Sequence, residues 1–321
     1  MLNLLIDGNY ILSRLVYTLH KNNLLYGALY TSLENTISNY KKIFPFKRIY
    51  LVSDSKEKSW RKDIYKDYKA KRKKDSDIDW QFVYDTYAEF KKNTNVKVVE
   101  CPSVEGDDWI SFLIDVTNKK GESNMVISND HDIKQLIKYD LNSGYINFMT
   151  NEMLNKGKAF MPKNWKLYMD SIKKLPNDDI FNLNDNSDFL NLFKILEVKY
   201  EIEEVDPISE FMTKVISGDI SDNIKSVFQN RDKNGGIRGI GIKGAQSIIV
   251  KYSEEFGDPD LNDPDIYDNF ADIIIEKKKI SRDKMPSIIK NIKSNVHIID
   301  LRISNIPDEI FNKMKTIYDS I

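Results

Sequence analysis

The sequence predicts an α/β protein, with a mostly parallel central sheet flanked by helices and a helical region after it. Three observations carry that prediction. Short runs of branched and aromatic apolar residues alternate with stretches of helical period, the pattern of β–α–β units. Each recognisable run ends at or near an acid. Towards Ile321 the strand-like runs give way to helical periodicity.

Leu2-Asn3-Leu4-Leu5-Ile6 reads as a short buried strand, closed by the turn signal Asp7-Gly8-Asn9. A helical pattern follows through Tyr10, Ile11, Leu15 and Leu19, and a second through Leu33, Ile37, Tyr40 and Ile43. Arg48 to Asp54 is the next strand and ends in an acid. Val96-Lys97-Val98-Val99 is the third strand. Glu105-Gly106-Asp107-Asp108 then opens a helix that continues as core with Trp109, Ile110, Phe112, Leu113 and Ile114. Met125-Val126-Ile127-Ser128 is the fourth strand, followed by Asn129-Asp130-His131-Asp132. In doubly wound sheets the functional crevice lies outside the C-terminal strand ends. Asp7, Asp54, Asp130 and Asp132 fall at that edge, and Glu105, Asp107 and Asp108 reach it from the helix after the third strand. A single acid at such a place is commonly a helix cap, and an acidic first turn also suits the helix dipole. Acids after every strand are harder to explain as caps alone.

Between Lys56 and Lys74 the character changes. Lys56, Lys58, Arg61, Lys62, Lys66, Lys69, Lys71, Arg72, Lys73 and Lys74 outnumber three acids and are interleaved with Trp60, Tyr65 and Tyr68. Such a run is either a solvated helix face or a surface for phosphate contact with base stacking. A helix follows from Asp77 to Lys91, with Trp80, Val83, Tyr84, Tyr87 and Phe90 on its apolar face. From Asn142 to about Asp206 the signal weakens to an Asn-, Asp- and Lys-rich stretch, with a surface turn at Pro176-Asn177-Asp178-Asp179. This stretch reads as an irregular insertion. Asp219 and Asp222 then sit three residues apart, a spacing that puts both carboxylates on one face of a helical turn. The glycine-rich run from Gly235 through Gly239, Gly241 and Lys243 to Ala245 leads into the next helix, where free backbone N–H groups suit a phosphate.

Composition sets the bounds. The chain has 321 residues, 41% hydrophobic and 30% charged, with 48 basic against 49 acidic residues, so nucleic-acid binding must come from local patches. A lone cysteine, Cys101, excludes a disulfide framework and fits a reducing compartment. The first apolar run meets Asp7 too early for a signal peptide, and no run approaches the length of a membrane span. A cytoplasmic, monomeric protein is expected. Nine acids (Asp7, Asp54, Glu105, Asp107, Asp108, Asp130, Asp132, Asp219 and Asp222) against three histidines favour oxygen-ligated Mg²⁺ or Mn²⁺ over zinc. The matching chemistry is phosphodiester hydrolysis with two ions roughly 4 Å apart. Cys101 precedes Pro102 with no evident base beside it.

The ordered set of motifs resembles the flap endonuclease/5′-nuclease superfamily, in particular its bacteriophage ribonuclease H branch. The residues that carry the likeness are Ile6-Asp7-Gly8-Asn9, Trp60 to Asp63, Asp67 to Arg72, Glu105 to Asp108, Ser128 to Asp132, Gly218 to Asn223 and Gly239 to Ala245, with Ile306-Pro307-Asp308 near the end. The resemblance implies a nuclease core over 1–205, with a helical arch at about 60–95 and the insertion at about 142–205. It implies a helical DNA-binding region over 206–321, with a helix–three-turn–helix at about 218–252. By that likeness Asp7, Asp54, Glu105, Asp107, Asp130 and Asp132 serve a first Mg²⁺, while Asp108, Asp219 and Asp222 lean towards a second, with Mn²⁺ as a substitute. Lys69 and Arg72 act with Asp132 in catalysis. Arg61, Lys62, Tyr68, Lys69, Lys71, Arg72, Gly239, Gly241 and Lys243 meet nucleic acid, and K⁺ sits on the helix–three-turn–helix. The implied activity is Mg²⁺-dependent 5′→3′ exonuclease and flap endonuclease cleavage, with ribonuclease H activity on RNA–DNA hybrids, in primer removal during DNA replication. Partners would be branched or 5′-ended DNA and replication proteins such as a single-strand-binding protein. A non-catalytic junction binder of the same fold and a single-stranded ribonuclease are the alternatives. One departure is Gly106, where relatives often carry alanine.

Overall fold

Five parallel strands, in the order Lys97–Val99, Arg48–Val52, Leu2–Asp7, Ser123–Ile127 and Tyr145–Thr150, form the platform on which the acids sit. The computed structural model describes residues 1–321 except 73, 152–156, 175–182 and 232–235. Lys73, the Pro176–Asp179 turn and Gly235 therefore lie outside the described residues. In chain order the elements begin with β1 (Leu2–Asp7), α1 (Gly8–Lys21), α2 (Leu25–Ile43), β2 (Arg48–Val52), α3 (Arg61–Ile64), α4 (Trp80–Asn93), β3 (Lys97–Val99) and α5 (Gly106–Asn118). They continue with β4 (Ser123–Ile127), β5 (Lys138–Asp140), β6 (Tyr145–Thr150), β7 (Gly157–Pro162), α6 (Trp165–Lys174), α7 (Leu183–Lys199) and β8 (Tyr200–Val205). The rest is α8 (Pro207–Ser217), β9 (Gln229–Arg231), β10 (Ile237–Gly239), α9 (Ile242–Phe256), α10 (Ile266–Lys278), α11 (Met285–Ile299) and α12 (Asp308–Ser320).

These elements fall into two units. The first comprises Met1–Lys58, Asp75–Val205 and Arg302–Ile321, and the second Ser59–Lys74 and Asp206–Leu301. One boundary between the units falls at Val205 and Asp206, and two segments are grouped across it. Residues 59–74 belong with the second unit because Tyr68 is buried in that unit's core and Tyr65 packs against it. The C-terminal segment belongs with the first because Phe311 and Tyr318 of α12 pack edge-on against Phe112 of α5. The expected arch is divided accordingly: α4 lies in the first unit, with Val83, Tyr87 and Phe90 buried in its core.

In the first unit every residue of β1 is buried, as a central strand covered on both faces requires. Strand order reverses at β1, which has β2 on one side and β4 on the other, so the crevice at the C-terminal strand ends opens there. Gly8 starts α1 because no other residue fits. A Cβ at that position would come within 2.1 Å of the Tyr87 hydroxyl and 2.6 Å of the Val52 carbonyl. Among its described residues the Asn142–Asp206 stretch is not irregular. It supplies β6, β7 and β8 with α6 and α7, extending the sheet and burying Ile146, Phe148, Trp165 and Phe193. Its strands interrupt apolar runs with Asn and Lys, which is why periodicity alone missed them.

The second unit is helical. Phe211, Val215, Ile248, Phe270, Ile274 and Ile292 share one core, with Tyr252 stacked on Phe270 at 4.2 Å between centroids. A β9–β10 hairpin separates α8 from α9. Among the described residues no helix is long and apolar enough to cross a membrane.

Candidate metal centre

The acids of the first unit reach its sheet edge by three local devices. Asp7 ends β1 and caps α1: one carboxylate oxygen accepts the Tyr10 N–H at 2.9 Å and the other accepts the Ser128 hydroxyl at 2.7 Å. Asp54, just past β2, accepts the Gly106 N–H at 2.7 Å, which ties the β2 edge to the start of α5. Asp130 begins the 3-10 turn His131–Leu136 and accepts the Asp132 N–H at 2.9 Å, while its own N–H donates to the Ser128 hydroxyl at 3.0 Å. Asp7 and Asp130 are thus also helix caps, and the two readings of such positions coexist at the same residues.

Asp107, Asp130 and Asp132 each offer a carboxylate oxygen, and these atoms lie within 4.8 Å of one another. Like charges so close are costly unless a cation or protons intervene. Asp7 registers the strain. Burial pushes its carboxyl up to about 6, the Asp54 and Asp130 charges add to the rise, and the Tyr10 and Ser128 hydrogen bonds oppose it. Donors that are all carboxylate oxygen, with waters completing the shell, fit a hard divalent cation such as Mg²⁺ or Mn²⁺.

Asp108, expected to lean towards a second ion, has a structural role of its own. It is fully buried and its Oδ2 accepts the Glu105 N–H at 3.1 Å, so it caps α5 from within. Glu105 itself is buried at the helix start. Two supports escaped the sequence reading. Ser128 joins Asp7 to the Asp130 turn, and the Ser53 hydroxyl meets the Tyr87 hydroxyl at 2.9 Å beneath the same edge. Burial raises the Tyr87 phenol, and the Asp7 and Asp54 charges add to that, so it stays protonated. In the sequence Tyr87 is only part of an apolar face; a hydroxyl at the end of such a face is the signal available.

In the second unit Asp219 and Asp222 occupy one tight turn. Asp219 accepts the Ser221 N–H and hydroxyl, both at 2.7 Å, and its backbone pairs with Ile224 in a two-way bridge. Burial pushes its carboxyl up, but Lys214 at 2.6 Å and the Ser221 bonds outweigh that and hold it down at about 2. The spacing of the acids gives no sign of Lys214 as a partner. Arg72 forms an ion pair with Asp222, and the Lys69 N–H donates to the Asp222 carbonyl at 2.9 Å. Lys69 adopts φ of 55°, a left-handed conformation unusual for a side chain of its size. The expected basic pair is therefore built into the expected acid turn.

Of the other nucleic-acid residues, Lys71, Arg72, Gly239, Gly241 and Lys243 are exposed and Lys62 is half-buried. Two others are core residues and not surface contacts. Arg61 is 2% exposed, with Nε donating to the Ile298 carbonyl at 2.9 Å. Tyr68 is 4% exposed and packed in the second unit's core, with the Lys69 ammonium 4.9 Å from its ring centroid. A cationic and aromatic run read in one dimension cannot show which members turn inward. Gly239 is small for a packing reason, since an added Cβ would come within 2.6 Å of the Ser226 Cβ. Helix α9 has Gly241 at its N-cap and no side-chain cap, so its first N–H groups are not satisfied by a cap side chain.

Fold and acids together define a class, and the chain belongs to it: the 5′–3′ exonuclease family, whose N-terminal, resolvase-like domain matches residues 2–164. A 5′–3′ exonuclease of Buchnera aphidicola subsp. Acyrthosiphon pisum (strain APS) is 25% identical over 205 residues, 61% of this chain and 71% of its own length. One from Mycoplasmopsis pulmonis (strain UAB CTIP) is 27% identical over 252 residues, 78% of this chain and 66% of its own length. In fold, the chain is similar to the bacteriophage T5 flap endonuclease in a pseudo-enzyme–product complex with DNA and metal ions, with a TM-score of 0.57. Sequence identity there is 16%, covering 99% of this chain and 98% of that one.

Proposed function

We propose that the protein is a Mg²⁺-dependent 5′-nuclease that hydrolyses phosphodiesters at 5′ flaps, duplex 5′ ends and RNA–DNA hybrids, as primer removal in DNA replication requires. The observation that carries this reading is the convergence of Asp107, Asp130 and Asp132 at the C-terminal edge of a parallel sheet, in a chain of the 5′–3′ exonuclease family. By the sequence resemblance Asp7, Asp54, Glu105, Asp107, Asp130 and Asp132 would hold one divalent ion and its waters, and Asp108, Asp219 and Asp222 would lean towards a second. Bound there, the ions supply Lewis-acid polarisation and ready deprotonation of a water.

The protein's own contributions follow from its residues. Ser128 and Tyr10 hold the Asp7 carboxylate in one orientation, and Gly106 does the same for Asp54. Lys69 would offset the negative charge that develops on the phosphoryl oxygens, and Arg72 would grip a phosphate bidentately. Arg72 starts from its pairing with Asp222, so phosphate and acid compete for one guanidinium. Lys62, Lys71 and Lys243 would hold the backbone of the nucleic acid without reading sequence. The bound T5 relative, with DNA and metal ions named together, supports this assignment of ligand classes.

Cleavage of 5′-labelled flap and RNA–DNA hybrid substrates, in Mg²⁺ and in excess chelator, tests the reading. Asp132→Asn should lower turnover by at least about a hundredfold while substrate binding persists, the scale of loss when one transition-state charge contact goes. Undiminished cleavage in chelator, or by the variant, would overturn it. Binding with no cleavage by the wild type would leave a junction-binding protein in its place.

A further inference from the structure

We propose that the second unit carries a pocket, distinct from its acid turn, that takes a single nucleotide: a base together with its phosphate. The pocket lies between α11 and the segment leaving the Asp219–Asp222 turn, and encloses about 380 Å³. That falls in the range of small-ligand sites. Its floor is apolar, with Val227, Ile288 and Ile298 all buried, and Tyr65 and Phe228 add rings to its walls. Ser287, Asn291 and Ser294 recur along α11 at four- and three-residue spacing, so a polar stripe of that helix lines one side.

Charge narrows the ligand. Among the described residues of the lining the ionisable cations are Lys225 and Lys284 and there is no acid, although acids outnumber bases in the chain as a whole. The site therefore selects an anion. Lys284 lies 3.4 Å from the neighbouring Asp283, whereas the Lys225 ammonium and the Ser287 and Ser294 hydroxyls meet no partner among the described residues. Asn291 spends its Nδ2 on the Val227 carbonyl at 2.9 Å, which leaves its amide oxygen as an acceptor. A nucleotide uses the whole set: phosphate on the ammonium and hydroxyls, base against the rings, an exocyclic amine on the amide oxygen. Inorganic phosphate would leave the rings idle, and a nucleoside would leave the lysines idle.

The choice of a nucleotide rests on the proposed nuclease reading, in which each turnover creates a 5′-phosphorylated product. The nucleotide has two sources, a free mononucleotide product or one nucleotide of the bound strand. Calorimetric titration of the full chain in chelator uses deoxyadenosine and thymidine 5′-monophosphates, with thymidine and inorganic phosphate as controls. The monophosphates should bind at least tenfold more tightly than either control. Lys225→Gln and Ser294→Trp, both at exposed positions, should each weaken that binding tenfold or more with unchanged circular dichroism. If Ser294→Trp does not fold, Lys225→Gln alone carries the comparison. No binding by the wild type, or equal binding by the folded variants, would overturn the pocket. Because this readout needs no turnover, it stands or falls separately from cleavage. On a 5′-flap substrate, KM raised by Ser294→Trp at constant kcat assigns the pocket to a strand nucleotide. Loss of inhibition by added monophosphate at unchanged KM assigns it to the free product. A variant that changes neither counts against the site.

Discussion

At Asp7 a single side chain serves two opposed ends. Its two hydrogen bonds cap a helix and tie β1 to the Asp130 turn, yet burial among acids raises its pKa to about 6. Because the folded state holds this proton to higher pH than the unfolded chain, metal-free stability falls as pH rises from about 4 through 6. Asp7→Asn keeps an oxygen for the Tyr10 N–H and removes the charge. It should therefore raise metal-free stability at pH 7 by about 1–3 kcal/mol, the worth of a shift of this size. Thermal melts in chelator and in Mg²⁺ check this, and the order of wild type and variant should reverse when metal is added. Glu122 is the opposite case. It is buried at the far end of the sheet, where burial raises its pKa but Lys47, Asn3 and Arg48 together hold it below the ordinary carboxylate range. Its contribution is complete at neutral pH and is lost as pH falls through that depressed value. Glu122→Gln should cost about 1–3 kcal/mol at pH 7, typical of a buried charged hydrogen bond. The gap to wild type should close in acid denaturation series.

Among elements, the insertion acquires a purpose from its position. Lys134 lies two residues beyond Asp132 in the 3-10 turn and is 3% exposed, with its ammonium 3.2 Å from Glu203 of β8 and 4.5 Å from the centre of the Phe160 ring of β7. The strands supplied by residues 157–205 thus brace the turn that carries two acids. Glu203→Ala removes the acid facing a buried ammonium and should cost about 1–3 kcal/mol in stability. It should also raise the Mg²⁺ concentration that gives half-maximal cleavage, while retaining kcat at saturating metal. Unchanged metal dependence would show that the insertion only completes the sheet. Helix α5 illustrates a second kind of bracing: Trp109, Ile110, Phe112 and Leu113 are all fully buried, which fixes the direction in which its acidic start points.

For the whole molecule, a formal net charge of −1 means that nucleic-acid affinity must come from a few local cations. If Lys62, Lys69, Lys71, Arg72 and Lys243 make the proposed phosphate contacts, the logarithm of duplex affinity should fall with the logarithm of salt at a slope of about −4.5. Replacing Lys71 or Lys243 by Gln should make that slope shallower by about 1 and weaken all duplex sequences alike. Fluorescence anisotropy across a salt series measures both effects.

The sequence by itself determined the parallel sheet and the order of its acids, because strand runs, turn residues and carboxylates are local signals written in one dimension. Asp7, Asp54, Asp107, Asp130 and Asp132 were legible as one edge because a doubly wound sheet always delivers its strand ends to the same side. Only the tertiary structure decided which members of a motif face inward. Asp108 became a buried cap, Arg61 and Tyr68 became core, and Tyr87 and Ser128 became supports of the acids. It also turned a stretch without clear period into three strands, whose apolar residues make sense only against α6 and α7. Burial is a property of contacts between residues far apart in the chain, and spacing along the sequence does not encode it.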